Sequence, residues 1–407
     1  MAEIKYDKSL WEAVPKEEKD IEKIVRPSMT YWQDAWRRLK KNKLSMIGLV
    51  TIILLVLLAV LGPMFSSHDF SRQNLSLQGI PPILDIYKVS DETYVYPHRE
   101  YKLIQVEPDG RIVKRLAEKE NDVENKVRRY EIDGHTVELD YSFISAQNKS
   151  VAEGTEEAGG PQARKFSLSI DGQEAQPTKT VFNKTYWFGS DTLGRDIFVR
   201  VLNGARISLF IAFVATTVNL VIGVIYGGIS GYLGGRVDAI MMRIVDIIDT
   251  VPLILYVILL TVVFEPGLQS IVIALGSVFW DRMARIVRAQ VLTLKEQEFI
   301  LAARTLGAST GRIMIRHLIP NALGPIIVTM TMMIPTAIFT EAFLSFIGLG
   351  VTPPIASWGT LANDALAGLR TYGYQLFFPS MAICITMLAF NFLGDGLRDA
   401  LDPRLRK

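Results

Sequence analysis

Long segments without any charged side chain constrain this chain more than any other feature. Residues 44–67 contain no charge, and residues 207–235 form a run of 29 without one. As a helix, the first segment would span about 36 Å, whereas the hydrocarbon core of a bilayer is about 30 Å thick. Further apolar runs follow at 247–264, 268–280, 318–340 and 376–394. The sequence therefore predicts an all-α polytopic membrane protein with six transmembrane helices.

Basic residues flank these segments unevenly. Five of them stand at positions 37–43, just before the first segment, and residues 282–316 carry seven basic residues against two acidic ones. Cytoplasmic loops of membrane proteins carry such an excess of Lys and Arg. We therefore expect the loop at 282–317 to be cytosolic. The same rule predicts that both termini are cytosolic, with tails at 1–43 and 396–407.

Residues 68–187 differ in character from the rest of the chain. They contain 20 acidic and 16 basic residues and no apolar run long enough to span a membrane. Short alternating stretches at 127–132, 136–141 and 165–170 predict strands, and Asp-Gly pairs at 133–134 and 171–172 predict tight turns. A flexible loop is expected at 150–164. The segment is predicted to be a β-rich extracytoplasmic insert between helices 1 and 2, which either binds a ligand or delivery protein or serves as a lid or spacer.

The loop before the fifth apolar run combines small and basic residues. Small side chains leave a helix backbone open to close approach, and flanking arginines suit such a helix to a groove on another protein. A turn at Gly311 and a stop at Pro320 bound the segment. The predicted docking residues are Leu301, Ala302, Ala303, Arg304, Gly307, Ala308, Arg312, His317 and Pro320.

Glycines recur every four residues in the second apolar run, at Gly223, Gly227, Gly231 and Gly235. On a helix, this spacing puts them on one stripe. A bare stripe lets two membrane helices touch backbone to backbone. We therefore expect the stripe to be a helix-packing surface.

Five ionisable residues lie at or inside the predicted spans: Asp246, Asp249, Asp281, Arg282 and Glu341. Such residues in membrane segments mark a pathway or gate by default. For the first four, pairing with one another or reaching to the interface explains the charges equally well. For Glu341, the alternative is a structural acceptor for backbone amides.

Two groups of motifs resemble a known family. The segment LAA at 301–303, followed by Gly307 and by HLIP at 317–320, resembles the cytoplasmic loop signature of ABC importer permeases, although Leu301 and His317 depart from it. The segments GSDTLGRD at 189–196, EAFLSFIGLG at 341–350 and SWG at 357–359 are similar to those of the dipeptide, oligopeptide and nickel subfamily. The resemblance implies the type I ABC importer permease fold, with a permease core at 188–395 and a coupling helix that docks on an ATPase.

The chain contains no Gly-Lys dipeptide and therefore no P-loop. We expect no catalytic residue and no cofactor in this chain, with ATP and Mg bound by partner subunits. The four histidines have no metal-ligand spacing, so no metal site is expected. The resemblance implies a second permease subunit in a heterodimer, two ATPase subunits and an extracytoplasmic solute-binding protein. The expected location is a bacterial cytoplasmic membrane, with the lipid bilayer as a partner and no nucleic acid.

The motifs favour an importer of oligopeptides or dipeptides that works by alternating access. Nickel, glutathione and sugar importers share the same signatures. A membrane-anchored ligand sensor is a hypothesis from another class, as is an intramembrane protease that uses Asp246, Asp249 and Glu341. A channel is the last alternative, but it has no use for a large docking loop.

Overall fold

The computed structural model of the chain describes residues 30–65, 68–98, 101–142 and 166–402. Most of the predicted tail at 1–43, the loop predicted at 150–164 and the last five residues of the tail at 396–407 lie outside the described residues.

Twelve helices lie in the described part of the chain. They are α1 Tyr31–Lys41, α2 Lys43–Phe65, α3 Ile197–Leu233, α4 Gly235–Asp249, α5 Leu253–Phe264, α6 Leu268–Val278, α7 Trp280–Leu294, α8 Glu298–Thr305, α9 Thr310–Ile313, α10 Ile319–Phe346, α11 Trp358–Asp364 and α12 Tyr374–Leu401. A single π-turn at Met314–Leu318 joins α9 to α10, so the two form one long segment.

Four of these segments are long and apolar enough to cross a membrane: Lys43–Met64, Ile197–Leu233, Thr310–Phe346 and Tyr374–Leu401. Helices α4 and α5 reach this criterion only as a pair, and they are bent by 82° at their junction. Helix α5 has 12 residues and α6 has 11, which is about 18 Å and about 17 Å of helix. The predicted number of six transmembrane helices is therefore not confirmed in the described residues, where the length criterion gives four or five.

Helix α3 lies at the centre of the helical part. It packs against α2, α6, α7 and α10. One core cluster joins Ile197 and Ala212 of α3 to Ile338 of α10 and to Trp358 at the start of α11. In contrast, most of the apolar side chains of α2 are exposed, as expected for a helix that faces lipid.

Between α2 and α3, the described residues contain ten strands, which form two antiparallel sheets of five. The first has the order β10-β1-β2-β3-β4, and the second has the order β5-β6-β7-β8-β9. The strands are β1 Ile83–Lys88, β2 Tyr94–His98, β3 Lys102–Val106, β4 Ile112–Arg115, β5 Glu120–Asp122, β6 Val127–Ile132, β7 His135–Asp140, β8 Ser167–Ile170, β9 Gln173–Glu174 and β10 Lys179–Phe182.

The second sheet is built on two-residue turns. Asp133 and Gly134 between β6 and β7 have φ values of 51° and 84°, and Asp171 and Gly172 between β8 and β9 have values of 49° and 79°. Positive φ at both central positions is the requirement of the type I′ hairpin turn, which Asp-Gly pairs meet best. The Asp133 carboxylate also accepts hydrogen bonds from Ser90 and Thr93, at 2.9 and 2.5 Å. It thereby ties the second sheet to the β1–β2 turn of the first.

One serine holds the sheets to the helices. The Ser190 hydroxyl donates to the carbonyl of Leu77 at 2.6 Å and accepts from the amide of Ile80 at 2.8 Å. Its carbonyl accepts from the Tyr374 hydroxyl at 2.9 Å and from the Gln375 side-chain amide at 3.0 Å. Ser190 is fully buried and therefore connects the approach to β1 directly with the first turn of α12.

Candidate functional site

Helix α8 carries the first four of the predicted docking residues. The helix ends before Gly307, whose φ of +79° lies in the left-handed region. The Gly307 amide donates to the Arg304 carbonyl, and the Ala308 amide donates to the Ala303 carbonyl, both at 3.0 Å. This is the Schellman arrangement, in which a glycine just past the helix satisfies its last carbonyls. The turn fixes the direction in which the chain leaves α8.

The inner side of this segment is packed against the chain's own core. Ile300 has no exposed surface, and Ala303 and Ala308 are half-buried. They contact a cluster that includes Val287 and Ile313. The two alanines, which the sequence assigns to the docking surface, therefore also hold α8 in place.

The outer side of the segment is apolar and exposed. Leu301 is 44% exposed, and Ala302 beside it is exposed as well. Two further apolar side chains that the sequence analysis missed lie here, Phe299 at 43% and Leu306 at 87%. Leu306 is the residue just before the terminating glycine, and an apolar residue at that position of a polar loop is the signal that could have found it.

Two contacts join the segment to the end of α3. The guanidinium of Arg304 lies 5.7 Å from the ring centroid of Tyr232, within the range of a cation–π interaction. The ammonium of Lys295 donates to the carbonyl of Gly231 at 3.0 Å. The Arg304 contact links α8 to α3, and the Lys295 contact links the end of α7 to α3.

The remaining predicted docking residues lie around the π-turn. Ser309 caps α9 by accepting a hydrogen bond from the Arg312 amide at 3.4 Å. His317 is half-buried within the turn, and its carbonyl accepts from the Asn321 side chain at 2.7 Å. Pro320 is exposed and lies just after the π-turn, in the first turn of α10.

Three of the four stripe glycines lie where α3 meets α7. A Cβ on Gly223 would lie 2.5 Å from Met283 Cβ, one on Gly227 would overlap the Ala284 carbonyl, and one on Gly231 would lie 2.8 Å from the Arg288 carbonyl. Gly235 does not belong to this surface. It begins α4 with a φ of +56° and has open space around it, because α3 ends at Leu233.

The charged residues near the predicted inner boundary fall into two groups. Asp246 and Asp249 share one partner, Arg285, at 3.1 and 3.3 Å. Asp281 is buried, whereas Arg282 beside it is exposed. The structure therefore brings the first two acids together through an arginine that the sequence analysis did not single out.

Glu341 is fully buried and joins three helices. Its carboxylate accepts hydrogen bonds from Ser208 of α3 at 2.8 Å and from Ser345 of α10 at 2.7 Å. The Ser208 hydroxyl in turn accepts from the Trp358 amide of α11 at 3.3 Å. Glu341 thus accepts hydrogen bonds from hydroxyl groups rather than from the expected backbone amides.

A buried charge cluster lies at the start of α3. Asp191 receives Arg195 at 2.7 Å and Arg200 at 2.5 Å. Arg200 also reaches Asp364 of α11 at 3.4 Å. Arg200 and Asp364 were missed by the sequence analysis, because 164 residues separate them along the chain.

Two family models match this chain. The model described as "Binding-protein-dependent transport system inner membrane component" matches residues 196–407. The model described as "N-terminal TM domain of oligopeptide transport permease C" matches residues 30–82. Among solved structures, the inward-facing MetNI methionine ABC transporter aligns with 50% of this chain and 96% of its own, at 22% identity and a TM-score of 0.42.

Curated relatives align along almost the whole chain. The oligopeptide transport system permease protein OppC of Bacillus subtilis is 42% identical over 400 residues, which cover 98% of each chain. The dipeptide transport system permease protein DppC of the same organism is 40% identical over 390 residues, covering 96% of this chain and 91% of its own. The chain therefore belongs to the family of binding-protein-dependent transport system inner membrane components, and it is a membrane permease of the ABC importer type.

Proposed function

We propose that this permease serves an ATP-driven importer of oligopeptides or dipeptides. The observation that carries the proposal is its 42% identity to an oligopeptide permease along nearly the whole chain, including the segment between α2 and α3. No observation favours nickel, glutathione or a sugar as the solute.

The exposed side of α8 is the proposed contact with an ATPase subunit. It presents Phe299, Leu301 and Leu306 beside the positive charge of Arg304. Apolar residues at the centre of an interface supply most of its binding energy once they are buried. ATP and Mg would be bound by that subunit, and this chain would contribute the docking surface alone.

The proposed topology has six spans, with α5 and α6 as two short ones and both termini in the cytosol of a bacterium. The basic residues before α2 and around α8 support this orientation. The two sheets then lie on the extracytoplasmic side, where a solute-binding protein would deliver its cargo. A second, related permease subunit and a second ATPase would complete the assembly.

Transport would follow from alternating access. Closure of the ATPase pair would move α8 as a rigid unit, because its Schellman turn and its packing through Ile300 leave it little freedom. The contacts of Arg304 and Lys295 with the end of α3 would pass that motion to the centre of the helical part.

Leu306→Asp tests the docking surface. Leu306 is 87% exposed, so the change should leave the fold intact while it places a charge in the proposed interface. We expect at least tenfold weaker retention of the ATPase subunits in the purified assembly, together with loss of peptide uptake into vesicles. Leu75→Asp is the matched control, because Leu75 is also well exposed but lies next to the first sheet.

If the Leu306→Asp variant retained the ATPase subunits fully, the proposal that α8 contacts them would be wrong. The solute is tested separately in the unaltered assembly, with a labelled tripeptide and with radioactive nickel. Uptake of nickel but not of the peptide would contradict the proposed solute.

A further inference from the structure

A cleft of about 420 Å³ lies between the first sheet and the loop that leads into α12. Ligand sites for small molecules typically measure about 300–1,000 Å³ and are lined by apolar and aromatic side chains with a few polar groups. The cleft has this composition. Its lining includes Tyr87, Tyr96, Tyr101 and Phe166, together with Asp85 and Arg370.

The aromatic walls are fixed by the sheets. Tyr87 of β1 is only 8% exposed and packs in the core cluster that includes residues of the second sheet, whereas Tyr96 of β2 packs on the other face of the first sheet with Leu84 and Ile86. A tyrosine hydroxyl is protonated at neutral pH in any case, and burial raises the pKa of Tyr87 further, so this hydroxyl can donate a hydrogen bond. The cleft thus offers rigid rings with polar edges, a combination suited to an apolar side chain next to a peptide group.

Tyr101 occupies a backbone conformation that an ordinary residue avoids. Its φ is +58°, and its ring stacks on Tyr141 at a centroid distance of 4.6 Å. The Tyr130 hydroxyl donates to the Tyr101 carbonyl at 3.5 Å. The β2–β3 hairpin accounts for this conformation, because Tyr101 closes the hairpin and its amide donates to the His98 carbonyl at 2.8 Å.

The two charged groups of the lining have unused bonding capacity. Asp85 accepts one hydrogen bond, from the Thr180 hydroxyl to Oδ1 at 2.6 Å, which leaves further acceptor positions on the carboxylate. Within the described residues, Arg370 is exposed and makes no hydrogen bond or ion pair with another side chain. A carboxylate and a guanidinium in one cleft are the groups that bind an ammonium and a carboxylate of a ligand.

We propose that this cleft is a second binding site, which holds a short peptide with free termini and an aromatic or large apolar side chain. The inference rests on the proposed function, and it adds a peptide-binding site outside the helical part. Asp85 binds the peptide's amino terminus, Arg370 binds its carboxylate, and the rings receive the side chain.

The position of Arg370 means that a bound peptide would link two parts of the molecule. Arg370 and Thr371 lie just before α12, and Tyr374 and Gln375 in the first turn of α12 donate to the Ser190 carbonyl. A peptide that bridges Asp85 and Arg370 therefore joins the first sheet to the last helix.

The test uses the complete transporter in nanodiscs without a solute-binding protein. The probe is alanyl-4-fluorophenylalanine, and its binding is followed by the width of the fluorine NMR line. We expect Asp85→Asn and Arg370→Gln each to weaken binding about tenfold, which corresponds to the loss of one charge-assisted contact. Asp91→Asn and Arg111→Gln are the matched controls, because both residues lie in turns of the same sheet and outside the cleft, and these variants should bind as the unaltered protein does.

A probe with acetylated and amidated termini should bind at least tenfold more weakly than the free dipeptide to the unaltered transporter. Equal binding of both probes, or unchanged binding in the two cleft variants, would overturn the inference. The inference would also be overturned if the cleft variants weakened only the affinity for a solute-binding protein, because the cleft would then be a contact between proteins.

Peptide uptake into vesicles is measured in parallel. Uptake without binding in the cleft refutes this inference alone, and a transporter that moves no peptide refutes the proposed function.

Discussion

At the scale of single residues, glycine sets how closely α3 and α7 approach each other. The carbonyl of Ala284 occupies the position where a side chain on Gly227 would begin. In a membrane, where lipid chains compete equally for apolar surface, such backbone contact is a main source of helix association. The adjacent Gly228 differs, since a Cβ there would meet only the flexible thioether of Met314, at 3.3 Å.

Gly227→Ala should lower the free energy of unfolding by about 1–3 kcal/mol, because the added methyl group forces α3 and α7 apart. Gly228→Ala is the control on the same helix, and it should change the free energy much less. Both values are measured by SDS titration in mixed micelles. Equal effects of the two substitutions would show that the α3–α7 contact is not limited by Gly227.

The residues also show what spacing can and cannot predict. Three glycines of the stripe lie on one surface because a helical period places them there, but the fourth falls beyond the end of α3. The break comes from Gly234, with a φ of +65°, and a count of intervals does not reveal where a helix ends. Arg200 and Asp364 were not predicted, because their contact depends on how α3 and α11 fold together.

At the scale of elements, α8 is defined by its ends. Its length is only eight residues, too short for a stable isolated helix, so its order comes from packing and from the turn at Gly307. The left-handed glycine, rather than any side chain at that position, determines the angle between α8 and α9. The small residue at 307 was predicted from the sequence as part of a docking surface, whereas its backbone role became visible only through its φ.

Gly307→Ala isolates this backbone role, because a Cβ there meets nothing within 4 Å. The left-handed conformation alone should cost about 1–2 kcal/mol, and faster hydrogen exchange is expected in the amides of α8. Gly311→Ala is the matched control: its Cβ is equally unobstructed, and its φ is not in the left-handed region. If the exchange rates of α8 rose equally in both variants, the turn would not be what orders the helix.

At the scale of the whole molecule, Arg200 connects three parts that are distant along the chain. It joins the segment after the sheets, through Asp191, to α11, through Asp364, and it is itself part of α3. The side chains of Arg200 and Asp191 are only 5% and 9% exposed, so water does not replace their contact when it is lost, whereas Asp364 is 51% exposed. Breaking a buried pair on one side costs far more than breaking a surface pair.

Arg200→Met should therefore reduce the free energy of unfolding by about 3 kcal/mol. Arg200→Lys should reduce the free energy of unfolding by a smaller amount, because an ammonium cannot reach two carboxylates with the same geometry. Arg236→Met, at an exposed position, serves as the control and should stay within about 0.5 kcal/mol of the unaltered protein. Equal midpoints for all three variants in thermal unfolding of the purified transporter would mean that the buried cluster does not stabilise the assembly.

Whole-molecule architecture was predictable where one property dominates. Hydropathy located the long helices α2, α3, α10 and α12, and Asp-Gly pairs located two turns of the second sheet. The arrangement of α4 to α6 was not predictable in this way. Hydropathy identifies an apolar run, but it does not reveal the bend of 82° between α4 and α5, next to Pro252. Two short helices and one long span have nearly the same composition.

The buried Ser190 couples the position of the last helix to that of the two sheets. Its carbonyl is held by α12 and its hydroxyl by residues 77–80, so we expect a tilt of α12 to be passed to the first sheet through these hydrogen bonds. The second sheet is joined to the first through Asp133, so we expect the movement to reach the β6–β7 turn as well. Energy transfer between a dye on the β6–β7 turn and a dye on the surrounding nanodisc would therefore report the tilt of α12 during transport.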